Sequence, residues 1–262
     1  MDYSQFEPLY FETLNKNGLS QFATPEFAGQ FYRLTCLLTE ANEKMNLTAI
    51  RDPADMIPLH YADCLLIADY LPDNAKLLDC GCGAGFPSLP LAIVRPDLSV
   101  TSLDSTAKKL SFVEAAAREL KLTNLTTVCG RAEEFAHSTQ YRERFDVCTA
   151  RAVASLPVLS ELCVPFLKID GIFAAMKGAK ASEELNEATN SLRLLGCSPA
   201  RLLPCSLYRV NRTIHALNGN LQAQTPEYAS EPEARAIILA VKQKHTPLQY
   251  PRKYSQILKK PL

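Results

Sequence analysis

The spacing of apolar residues changes character near residue 75. Ahead of that point it is helical. Thr24-Pro25-Glu26 reads as an N-cap with proline in the first turn, and Phe27, Phe31, Leu34, Leu37 and Leu38 predict a helix running to about Lys44. A second helix is expected after Asp52-Pro53, and HYADCLLIADYL reads as a third. Beyond residue 75, short apolar runs alternate with amphipathic stretches. AKLLDC, LSVTSLD, LTTVCG, FDVCTAR and GIFAAMK read as strands, while Pro87 to Val94, Thr106 to Leu120, 155 to 168 and 182 to 195 read as helices. Repeated strand, helix, strand units predict an α/β fold with a mostly parallel sheet and helices on both faces. ARLLPCSLY and RTIHAL follow as strands, and ARAIILAVK as a short helix or strand. Pro226, Pro232, Pro247, Pro251 and Pro261 argue against a long terminal helix and predict irregular, basic chain. The expected division is a helical cap over 1–72, a sheet domain over 73–225, and a basic segment over 226–262 packed on that domain or extending from it.

Composition narrows the class. An apolar share of 47% in 262 residues fills a real core. No apolar run approaches the roughly 18 residues of a membrane span. The opening MDYSQFEPLYFE is acidic and aromatic where a signal peptide is basic and then apolar, so a soluble, cytoplasmic protein is expected. The nine cysteines sit mostly inside apolar segments, as buried thiols do in a reducing compartment. With no C-x-x-C and four scattered histidines, no metal site is expected. The net charge of zero hides a segregation. Residues 191–262 carry eleven Lys/Arg against three Glu, a net of +8, which suits either a polyanionic partner or a solubilising end.

The candidate chemistry lies in LLDCGCGAGFPSLPLAI, residues 77–93, where the first strand should turn into the first helix of the sheet. In an open parallel sheet that turn is the usual ligand cradle. Its pattern is D-x-G-x-G-x-G, from Asp79 through Gly81, Cys82, Gly83 and Gly85 to Phe86. A phosphate loop would need a lysine after its last glycine, and a dinucleotide fingerprint places its third glycine one residue later. The carboxylate of Asp79 would repel a pyrophosphate but suits a ligand bearing an ammonium and a sulfonium, which is S-adenosyl-L-methionine. The glycines are then expected to admit that ligand close to the backbone. Asp104 ends the second strand, with Ser105 beside it, where a carboxylate accepts both ribose hydroxyls. Ala132 and Glu133, after the third strand, are placed to bracket the adenine.

The fourth strand ends in Arg151-Ala152-Val153 and offers neither a cysteine nucleophile nor an acid–proline–proline turn. An arginine neither gives nor takes a proton, which disfavours base-catalysed transfer. A guanine N7 answers this chemistry because its lone pair needs no deprotonation. Other readings are a methyltransferase for another RNA or for a small molecule, which would not need the basic segment, and a non-catalytic binding module, which would be free to lose cofactor contacts.

The chain resembles the RsmG family, also called GidB, the bacterial 16S ribosomal RNA (guanine-N7)-methyltransferases. The resemblance spans nearly the whole chain. It rests on NEKMNLTAIRDPADM, HYADCL, LLDCGCGAGFPSLPLAIVRPDL, VTSLDSTAKKLSFV, GRAEEF, FDVCTARAVASLPVL, AAMKG and the basic KHTPLQYPRKYSQILKKPL. It implies a class I S-adenosylmethionine-dependent methyltransferase, Rossmann-like with a seven-stranded sheet and a helical cap. It also implies a target guanine in the helix 18 loop of the small-subunit RNA, met free or in the assembled small ribosomal subunit. Carried over to this sequence, the family's cofactor contacts fall on Gly81, Phe86, Ala132, Glu133 and Arg151. Substrate contacts are expected from Arg151, Lys177, Arg252 and Lys253, with Asn46 pinning the cap loop. His60 and Asp63, spaced i, i+3, either orient the base or, as the favoured reading, tie their helix to its neighbour. Ser88 and Cys64 depart from the family's usual glycine and serine, and the second weakens any role for a hydroxyl there.

Overall fold

The computed structural model describes residues 1–211, 227–228 and 231–262. Four α-helices, joined by shorter helical turns, precede the sheet. The first, α1 (Tyr3–Lys16), opens on a capping box in which Asp2 accepts the Gln5 amide and the Gln5 side chain accepts the Asp2 amide. The second, α2 (Pro25–Met45), starts where Thr24 Oγ1 accepts the Phe27 amide at 3.3 Å and ends at Asn46, whose φ of 51° breaks the helix in the left-handed region. The two helices expected after Asp52 are one continuous segment: α3 (Pro53–Met56), a wide π turn (Ile57–Ala62) and α4 (Asp63–Leu65). Its side chains from Met56 to Leu65, Leu59 excepted, are buried, so the segment lies inside the cap and not on its surface.

The sheet follows in strict alternation: β1 (Lys76–Cys80), α5 (Ser88–Val94), β2 (Ser99–Asp104), α6 (Ala107–Glu119), β3 (Leu125–Cys129), α7 (Ala132–Phe135), β4 (Phe145–Arg151), α8 (Leu156–Cys163), β5 (Leu167–Lys177) and α9 (Ala181–Leu194). The helix expected over 155–168 is shorter. A single 3-10 turn over Val164–Phe166 contains Pro165, and the chain is extended from Leu167. After β6 (Arg201–Leu207) come β7 (Val210–Asn211), β8 (Glu227–Tyr228), β9 (Glu233–Val241) and α10 (Tyr254–Lys259). The expected strand RTIHAL lies outside the described residues.

Strand order is β3-β2-β1-β4-β5-β9-β6, parallel from β3 to β5 and antiparallel on both sides of β9. The order reverses between β1 and β4, so ligands are expected beyond the carboxyl ends of these two strands. One core cluster joins the cap to α5 and α6, and the other gathers α8, α9 and Ile257 of α10 on the opposite face. The segment ARAIILAVK is therefore a strand, and an interior one. It carries buried Ile237 and Ile238 to opposite clusters, as β-branched residues do well in a central position. The division drawn at residue 225 falls within one sheet, since β9 lies between β5 and β6.

The expected irregular basic chain is also built into the fold. Lys242 is fully buried and donates to Glu143 at 2.7 Å and to the Val164 and Leu167 carbonyls. Arg142 donates to the carbonyls of Thr246, Pro247 and Tyr250. Arg252 binds fully buried Glu161 through both its backbone amide and its guanidinium, at 2.6–2.9 Å. Arg235, Lys242 and Arg252 of the segment thus neutralise carboxylates of the same molecule.

Candidate active site

The glycine turn leaves β1 and is tied to the neighbouring strand: the amides of Gly81 and Cys82 both donate to the Leu103 carbonyl, at 2.8 and 3.0 Å. Asp104 completes the cradle. One carboxylate oxygen accepts the Gly83 amide at 2.9 Å and the other the Thr106 amide at 2.8 Å, so the expected ribose acceptor also sets the shape of the loop. A cavity of about 460 Å³ opens over this turn. Its wall includes Gly81, Cys82, Gly83, Phe86, Asp104, Ser105, Ala132, Glu133 and Arg151, which brings together nine of the eleven residues expected to hold the cofactor.

Asp79 and Gly85 are the other two, and their roles change. Asp79 is fully buried beneath the loop, where one oxygen accepts the Ser88 amide at 3.0 Å, and burial pushes its pKa up to about 7. It shapes the start of α5 instead of facing the cavity. The glycines also differ among themselves. A Cβ on Gly81 would stand 2.8 Å from Val153 and one on Gly85 2.6 Å from Leu89, so these two admit protein side chains. Only at Gly83, with φ +57°, would a Cβ point into open space. This is the glycine of the three that leaves room for a ligand.

At the far end of the cavity Arg151 gathers residues distant in sequence. Its Nη1 donates to Asp63 at 2.8 Å and to the Leu59 carbonyl at 2.9 Å, and its Nη2 donates to His60 Nδ1 at 3.3 Å. Arginine only donates, so Nδ1 of His60 is the acceptor and Nε2 carries the hydrogen given to Thr48 Oγ1 at 2.9 Å. Burial, with the Arg151 charge adding to it, lowers the His60 pKa to about 3. The neutral imidazole stacks on Phe86 with centroids 4.3 Å apart. Asp63 is held on its other side by Arg235 at 2.9 Å. His60 and Asp63 thus tie the π turn to the end of β4. No group in this cluster is a free base: the imidazole lone pair is engaged and both oxygens of Asp63 are bonded.

A second cavity, of about 560 Å³, adjoins the first, with the residues after β4 as the partition between them. Arg151, Ala152 and Val153 line both cavities; Asp63, Lys177, Glu184 and Arg235 line only the second. Lys177 is fastened there to Glu184 at 2.7 Å and to the Ala154 carbonyl at 2.6 Å, which leaves it less available to an RNA backbone than expected. Asn46 is exposed and serves as the C-cap of α2, whereas the loop at Leu47 and Thr48 is pinned by Asn42, whose side chain exchanges two hydrogen bonds with the Thr48 backbone. Arg252 is committed to Glu161, while Lys253 is exposed. Neither lines a cavity described above.

Comparison with known proteins places the chain in a family. The family described as rRNA small subunit methyltransferase G matches residues 28–212. A ribosomal RNA small subunit methyltransferase G from Desulfitobacterium hafniense is 44% identical over 225 residues, covering 86% of this chain and 85% of its own. The chain belongs to this family. Another methyltransferase G, from Streptococcus pyogenes, is 40% identical over 256 residues and covers 97% of this chain and 98% of its own. In fold, the chain is similar to an S-adenosylmethionine-dependent O-methyltransferase of Thermotoga maritima, with TM-score 0.50 at 16% identity, over 80% of this chain and 72% of that one.

As a member of the methyltransferase G family, the protein is an rRNA methyltransferase that takes its methyl group from S-adenosyl-L-methionine. The residues present fit that cofactor: open space at Gly83, a carboxylate at Asp104, and a glycine turn followed by Phe86-Pro87 where a phosphate loop would carry a lysine. Sequence reading missed Thr48, Val153, Asp63's bond to Arg235, and Tyr254, which also lines the first cavity. Thr48, Val153 and Tyr254 all stood inside quoted motifs close to residues already singled out, Tyr254 immediately after Lys253. Among the described residues, no helix is long and apolar enough to cross a membrane, and no group of three His, Cys, Asp or Glu is placed to hold a metal.

Proposed function

We propose that the protein methylates N7 of a guanine in the helix 18 loop of bacterial 16S ribosomal RNA, without a side-chain acid, base or nucleophile. The observation that carries this reading is Arg151 lining both cavities, with the two base candidates bonded to it, His60 and Asp63, already engaged. The bound cofactor supplies an electrophilic methyl group on a sulfonium. Gly83, Asp104, Ala132 and Glu133 hold its nucleoside part, and Phe86 with Arg151 closes the methyl end. The second cavity receives the base. Bound in the first cavity, the cofactor would supply a methyl group to the N7 lone pair with the S–C electron pair left on sulfur, so that the charge would pass to the base and the residues around Arg151 would have no proton to move. The protein's contribution is alignment, which in favourable cases supplies roughly 7–11 kcal/mol.

Exposed Lys244, Lys253, Lys259 and Lys260 offer phosphate contacts from the C-terminal segment, and none of them forms an ion pair among the described residues. The compartment implied is the cytoplasm, where the nine free thiols stay reduced and ribosomal RNA is met. The test is a map of N7-methylguanosine in small-subunit RNA from cells with and without the gene. Loss of one modified guanine in the helix 18 loop supports the reading, and an unchanged map contradicts it. Purified protein offered naked 16S RNA and assembled subunits then decides which is the substrate.

A further inference from the structure

The family match ends at residue 212, yet the cavity over the glycine turn is completed by a residue 42 positions further on. Tyr254 opens α10 and lines that cavity together with Gly130, Arg131, Ala132 and Glu133, the residues that follow β3. Its ring meets the Arg131 guanidinium at 4.9 Å, and Arg131 in turn holds Glu133 at 2.6 Å. The chain on both sides of Tyr254 is fixed. Just before it, Pro251 gives its carbonyl to His137 at 2.8 Å and Arg252 clasps fully buried Glu161. Just after it, Ile257 is fully buried. Removing the Arg252 clasp would leave the Glu161 carboxylate buried without its partner, so the placement of this segment is costly to undo.

We propose that Tyr254 belongs to the cofactor site and covers the adenine, so that the C-terminal segment is part of the cofactor pocket and not only a carrier of charge for RNA. The inference rests on the cofactor reading above, because the wall it completes is the one assigned to the nucleoside. An aromatic ring beside a base gains stacking that hydroxyl or aliphatic groups do not supply. The placement also makes sense of the anchoring. A ring serving as a pocket wall has to be held still, and a solubilising tail does not.

The test is calorimetry with S-adenosylhomocysteine as the probe, on the full chain. Tyr254→Ala is expected to weaken binding about tenfold or more, the size of a lost base–aromatic stack, and Tyr254→Phe to stay within about threefold of the parent. The chain contains no tryptophan, so Tyr254→Trp places a single indole at the site, and its emission is expected to change as the probe saturates the protein. This second readout does not depend on how well the alanine variant folds. An unchanged affinity in Tyr254→Ala, or an indole blind to saturating probe, overturns the proposal while the function stands. A loss of RNA affinity measured without cofactor, with probe affinity intact, overturns it in favour of an RNA contact. Absence of probe binding by the parent protein would instead strike the cofactor reading itself.

Discussion

The two ends of the cofactor cavity are built differently. At the end proposed for the methyl group, Arg151, Asp63, His60, Arg235 and the Leu59 carbonyl satisfy one another in a largely buried cluster, and His60 is held neutral. At the end proposed for the nucleoside, among the described residues Asp104 is bonded only to backbone amides and Glu133 only to a half-exposed arginine, and Gly83 faces open space. A closed cluster positions and resists protons. An open carboxylate with lone pairs to spare recognises a ligand. On the proposed reading the same cavity separates alignment from affinity, and substitutions at the two ends are expected to fail in different ways.

Arg151→Ala is the harshest test of that separation. It strips Asp63 and His60 of a shared buried partner, so unfolding free energy in urea is expected to fall by about 3 kcal/mol or more. Turnover is expected to fall by about a hundredfold or more through misalignment of the reacting atoms. A variant of parental stability and rate would break the contrast between the two ends.

The next effect is in pH. His60 titrates near 3 in the folded protein against 6.5 ordinarily, so the unfolded chain takes up its proton first as pH falls. The stability present above about pH 6.5 is lost progressively toward pH 3. Asp79 runs the other way: its pKa is raised from 3.8 to about 7, and its contribution is lost as pH rises between those values. Replacing His60 by Gln removes only the first. The stability difference between parent and His60→Gln should therefore grow by a few kcal/mol from about pH 4 to pH 6.5 and then level off. A difference independent of pH would mean that His60 is not held neutral.

At the other end, Asp104→Ala is expected to weaken cofactor binding by about 1.5–3 kcal/mol, through lost ribose bonds and a loosened Gly83 amide. Calorimetry reads this, and an equal loss of rate at saturating cofactor would blur the distinction between the ends. The smallest expected effect is in Cys82→Ala. The thiol lines the cavity but is buried, with its pKa pushed up, so turnover should stay within about tenfold of the parent. A folded, cofactor-binding Cys82→Ala protein without turnover would make that thiol a participant.

The nucleoside end was legible in the sequence because its parts are local. A strand, a glycine turn and a helix lie in consecutive residues, and Asp104 ends the next strand at a spacing set by the βαβ unit. The Arg151 cluster was only partly legible. The arginine itself follows from its place after β4, but its bonds reach back 88 residues to Asp63, which in turn meets Arg235, 172 residues further along. No periodicity records such pairs. The same holds for the C-terminal segment: its charge is plain in the composition, but its partners Glu143 and Glu161 lie roughly a hundred residues earlier. What read as free charge is for Lys242 and Arg252 internal neutralisation. The glycines show a finer limit, since the turn pattern is common to all three while the space beside each depends on Val153, Leu89 or nothing at all.

The central claim is that methyl transfer proceeds by alignment with no proton in flight, and a solvent deuterium isotope effect on a single turnover tests it directly. Enzyme loaded with cofactor is mixed with its RNA substrate in light and in heavy water, and the rate of the methylation step is compared. Rates within about 20% of each other are the expected result, since no O–H or N–H bond to a general acid or base changes in the step. A rate lower by about twofold or more in heavy water, with binding unchanged, would contradict the account and require a proton-transferring group that the Arg151 cluster does not supply.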